Sequence, residues 1–76
     1  MAANEDESPL AAAVRHAAVG RRIVERQRER IAKLKAAGHP TLDAEQTLAL
    51  FLGTLKLFEQ HERELLGAVS RPFASR

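Results

Sequence analysis

The sequence predicts an all-α protein: an antiparallel two-helix hairpin that dimerises into a four-helix bundle. Three observations carry this. Two long segments place apolar residues at alternating spacings of three and four, the period of a helix or coiled coil packed along one stripe. Between them stands Gly38-His39-Pro40-Thr41, a link so short that the helices must lie side by side and antiparallel. The second segment also holds more leucine than one partner helix covers.

Residues 1–8 carry Glu5, Asp6 and Glu7 without a base and read as a disordered acidic tail. Ser8-Pro9 then suits an N-cap followed by proline at the first helical position, where its missing N–H costs nothing. Helix 1 is expected over about residues 9–37, rich in Ala, Arg, Glu, Lys and Leu, all good helix formers. Gly38 takes the left-handed conformation that ends a helix, and Pro40 prevents continuation. With residues 38–41 as the turn, Thr41 caps helix 2, which is expected over about 42–69, with Asp43 and Glu45 near its positive end. Residues 70–76 form a C-terminal tail, so the hairpin is a single unit over 9–69.

Folding about the turn pairs positions whose numbers sum to roughly 79. The central seam then consists of Val24, Gln27, Ile31 and Leu34 against Leu48, Phe51, Leu55 and Phe58. Leu34 meets Ala44, Gly20 receives Phe58, and Leu10 approaches Val69, so large residues face small ones. Gly20 and Gly53 each cost about 1 kcal/mol of helix propensity relative to Ala, which suggests close helix approach at both. Gln27, an amide inside an apolar stripe, needs a hydrogen-bond partner and is a candidate for fixing register. Glu29 with Lys33, and Glu59 with Arg63, are spaced for pairs within one helix. Leu50, Leu52, Leu57 and Leu66 lie outside the seam and form the expected self-association surface of a homodimer, with room for a further protein partner.

The charges are segregated. Residues 11–39 carry eight bases against two acids, and residues 40–69 carry five acids against two bases. The arginines Arg21, Arg22, Arg26, Arg28 and Arg30 are candidate phosphate contacts, which makes a basic nucleic-acid-binding protein the alternative function. Against it stand the intervening Glu25 and Glu29 and the scarcity of aromatics to stack bases: three Phe, no Tyr and no Trp.

Catalysis is not expected. Cysteine is absent, the serines fall near helix ends or in tails, and no glycine-rich phosphate loop or metalloprotease pattern occurs. No cofactor or metal is expected. His16 and His61 sum to 77 and so approach each other near Glu62, a set resembling zinc ligands, but a polar layer at the open end is the favoured explanation, with Glu62 pairing to Arg15 or His16. The absence of a signal-like start and of any run near roughly 18 apolar residues, together with the lack of cysteine, gives the expectation of a cytoplasmic protein with no membrane contact.

Several short patterns occur in order: His16-x3-Gly20-x2-Ile23, Arg26-Gln27-Arg28, Ile31-x2-Leu34, Gly38-His39, Ala44-x3-Leu48, Leu55-x-Leu57 and His61-x-Arg63-x-Leu65. In this the chain resembles a group of short uncharacterised alpha-proteobacterial helical-hairpin proteins, over about residues 15–66. The resemblance implies a two-helix fold and brings no activity with it. Relatives often place a His where this chain has Phe58, making a His-x-x-His pair with the position of His61, so any metal ligation in the group would lack a ligand here. The function expected is that of a small structural or regulatory interaction module that self-associates through its second helix.

Overall fold

The computed structural model describes residues 7–70, which form two α-helices packed on each other as a hairpin. Helix α1 is Pro9–Ala36 and helix α2 is Leu42–Ser70. The expected acidic tail at Glu5 and Asp6, and the C-terminal tail beyond Ser70, lie outside the described residues. Among the described residues no helix is long and apolar enough to cross a membrane.

The helix ends follow from local chemistry. The Ser8 side chain accepts from the Ala11 N–H at 3.0 Å and Pro9 occupies the first turn, so two otherwise unpaired N–H positions are dealt with. At the other end Gly38 adopts φ +76°, and its N–H donates to the Lys35 carbonyl at 3.0 Å while that of His39 donates to Leu34 at 2.9 Å. This is a Schellman ending, in which only a residue without Cβ accepts the left-handed backbone freely. Lys33 and Lys35 in the last turn oppose the negative pole of α1. Helix α2 starts as expected, with Asp43 and Glu45 in its first turn and the Glu45 N–H on the Thr41 carbonyl at 2.8 Å. The Thr41 hydroxyl takes another role than the expected one, donating to Glu45 Oε2 at 2.8 Å.

The seam is built from small residues. Ala13, Ala17, Gly20 and Val24 are the buried positions of α1, Ala44 is buried on α2, and among the described residues no large side chain is fully buried. Leu34, Leu48, Phe51, Leu55 and Phe58 are only half-buried, because a large residue leans off the line where two cylinders touch and keeps one flank in solvent. At Gly20 the helices approach closely: an added Cβ would lie 3.2 Å from Leu55 Cδ1 and 3.4 Å from Phe58 Cδ2. The expected contact between Gly20 and Phe58 is therefore present. Gln27 also finds its partner, with Nε2 donating across the hairpin to the Ala44 carbonyl at 2.8 Å.

Three expectations need correction. Gly53 makes no close approach, since an added Cβ there would meet nothing within 4 Å; it faces away from α1. Val69 is 68% exposed, so the seam has ended before it. The Glu59 carboxylate pairs across the hairpin with Arg21 at 3.0 Å instead of with Arg63, and among the described residues Glu29 and Lys33 form no ion pair.

These two glycines give a direct test of packing. Gly53→Ala is expected to raise stability by about 1 kcal/mol, the propensity difference in open space. Gly20→Ala gains the same propensity but presses on Leu55, and Gly20→Leu inserts a side chain where none fits. Urea unfolding at one protein concentration should rank Gly53→Ala above Gly20→Ala and Gly20→Leu last; equal effects of the two alanines would contradict the close approach at Gly20.

Candidate functional site: the two faces of the hairpin

The leucines proposed for self-association do not share one surface. Thr54 lines a depression between the helices together with Val19, Ile23, Phe51 and Phe58. Leu50 stands four residues before Thr54 and Leu57 three after, which puts both on its side of α2. Leu52 and Leu66 lie seven residues before and after Glu59, on the stripe that receives Arg21. The hairpin thus has a groove face, which also carries Leu50 and Leu57, and a back face with Leu52 and Leu66 on either side of an ion-pair cluster. Leu50 and Leu57 are 72% and 66% exposed, against 38% and 43% for Leu52 and Leu66.

The groove changes character along its length. Its apolar part, about 240 Å³, is floored by Phe51, Leu55 and Phe58 beside Gly20. Toward the turn it widens to about 710 Å³ and Arg26, Arg30, Lys33 and His39 join Ile23 and Phe51 in the wall, with Glu29 as the opposing charge. Asp43 and Arg30 border a further depression beside the turn. At the far end the His16 ring lies against Phe58, centroids 5.6 Å apart and tilted by 34°. His16 is thus engaged with an aromatic ring, and among the described residues no group of three or more His, Asp or Glu is placed to hold a metal ion.

On the back face Arg21 bridges two carboxylates of α2, Glu59 Oε2 at 3.0 Å and Glu62 Oε1 at 3.6 Å. Glu62 therefore pairs neither with Arg15 nor with His16. Arg15 is already held by Glu7, through Nε at 3.0 Å and Nη2 at 2.9 Å, a two-point contact that suits the planar guanidinium. The last residue of the acidic segment that is described, Glu7, thus lies on the helix it precedes.

The five arginines also divide. Arg22, Arg26 and Arg30 follow one another at four-residue spacing, so they share one side of α1, and all are exposed. Arg21 is taken by the back-face cluster. Arg28 is two residues from both Arg26 and Arg30, which puts it away from their stripe. The sequence signal for this division was present in the spacings; the partner of Arg21 was not, because a register alone does not decide which of several nearby carboxylates wins. Compared with protein-family models, with curated proteins and with solved structures, the chain matches none.

The Arg15 guanidinium, through its hydrogen bonds first and its charge second, holds the Glu7 carboxyl below its ordinary 4.5 and is itself raised. A depressed acid contributes its stabilisation above the ordinary value and loses it as pH falls through the lower folded value. A carboxyl titration followed by NMR should show Glu7 titrating lower in the parent chain than in Arg15→Gln. Coincident curves would mean the contact is not formed in solution.

Proposed function

We propose that the protein is a structural or regulatory interaction module that works as a self-associated helical bundle, two hairpins pairing through the apolar side of α2. One observation supports this most directly. Among the described residues the lone hairpin fully buries no large side chain, while Leu50 and Leu57 stand mostly in water. A chain of this size with so thin a core is marginal on its own. Covering these two leucines in both copies contributes very roughly 6–12 kcal/mol before the entropy of association is subtracted, as much as the whole stability of many small domains. Leu52 and Leu66 remain on the back face as the surface for a further protein partner.

Light scattering on a size-exclusion column is the test. The parent chain should elute at twice its monomer mass at low and moderate salt alike. Leu50→Glu/Leu57→Glu should elute at the monomer mass while its circular dichroism stays helical. A monomeric parent, or a variant of unchanged mass, would remove the proposal.

A second reading is favoured by the stripe Arg22, Arg26 and Arg30, exposed and free of ion pairs among the described residues. It treats α1 as a phosphate-binding helix. Duplex DNA or RNA should then be retained at about 50 mM salt and released by about 200 mM. No binding at the lower salt would end it.

A further inference from the structure

We infer that the second copy seats on the groove face with both turns at the same end of the bundle, so that α1 of each hairpin lies along α2 of the other. This rests on the self-association just proposed and adds which face is covered and in which orientation.

The face follows from where apolar surface converges. Val19 and Ile23 of α1, 37% and 39% exposed, line the depression with Phe51, Thr54 and Phe58 of α2, and the helical period puts Leu50 and Leu57 on the Thr54 side of α2. The surface therefore belongs to both helices rather than to α2 alone. On the back face Leu52 and Leu66 are separated by the Arg21, Glu59 and Glu62 cluster, and burying those charges would cost more than the two leucines return.

The orientation follows from charge. Two hairpins meeting face to face have two simple two-fold arrangements. With the axis across the helices, the turns lie at opposite ends and α1 lies over α1 of the other copy, base-rich helix on base-rich helix and acid-rich helix on acid-rich helix. Like charges brought together at an interface oppose binding. With the axis parallel to the helices, the turns lie together and α1 lies over α2 of the other copy, base-rich helix on acid-rich helix.

The heights agree. The contact between Gly20 and Phe58 sets Leu57 level with Val19 and Ile23. In the parallel-axis arrangement Leu57 of the second copy thus enters the apolar depression. Asp43, which shares the groove side near the turn with Arg30, comes to face Arg30 and Lys33 of the first copy.

The chain has no cysteine, so Ala36→Cys, at the exposed last position of α1, takes a single spin label. Pulsed dipolar spectroscopy on the dimer should give a separation under ~30 Å if the turns coincide, and ~40 Å or more if they lie at opposite ends of helices this long. The long distance in a dimer of confirmed mass overturns the orientation and leaves self-association standing; a monomeric mass overturns both. As an independent readout, Lys33→Glu should raise the dimer Kd about tenfold across its two symmetric contacts, and adding Asp43→Lys should restore it. A double variant weaker than the single one would also overturn the pairing.

Discussion

Two helices lying side by side touch along one line, and the rest of this structure is a response to that limit. Whatever sits on the line must be small for the backbones to approach, hence Ala13, Ala17 and Gly20 on α1 and Ala44 on α2. Whatever is large must lean off the line and stay partly wet, as Phe51, Leu55 and Phe58 do. Close approach gains dispersion contacts at the seam but leaves the bulky side chains with only one covered flank. The groove is the visible result, because it is the space those side chains wall without filling.

Charge organises what packing leaves open. Arg21, joined to Glu59 and Glu62, ties the back of the hairpin together and leaves that side poor in uninterrupted apolar surface. On the groove side the bases gather near the turn and the apolar residues near the middle. The exposed pairs are individually weak, so their effect is on how surfaces sort against one another rather than on how firmly the hairpin holds.

Much of this was readable in the residues. Periodicity gave both helices, Ser8-Pro9 and Gly38 gave their punctuation, and the register about the turn placed Phe58 on Gly20. Gly53 misled because a glycine within a helix looks the same whether it faces a neighbour or water, although its phase, two residues past Phe51, already put it off the seam. The ion pairs were harder. Glu62 lies against Arg21 while Arg15 is held by Glu7, a choice of partners that no spacing encodes. The division of the four leucines between two faces was legible in the seven-residue steps from Leu52 through Glu59 to Leu66, once Glu59 was known to face Arg21.

The Schellman turn at Gly38 has a kinetic consequence. Chain closure costs more entropy as the loop lengthens, and this hairpin orders its contacts by loop length from the turn outward. The bond from Gln27 to Ala44 spans 17 residues, whereas that from Arg21 to Glu59 spans 38. Loop entropy therefore favours closing the hairpin beside the turn before its open end, and opening it from the termini first.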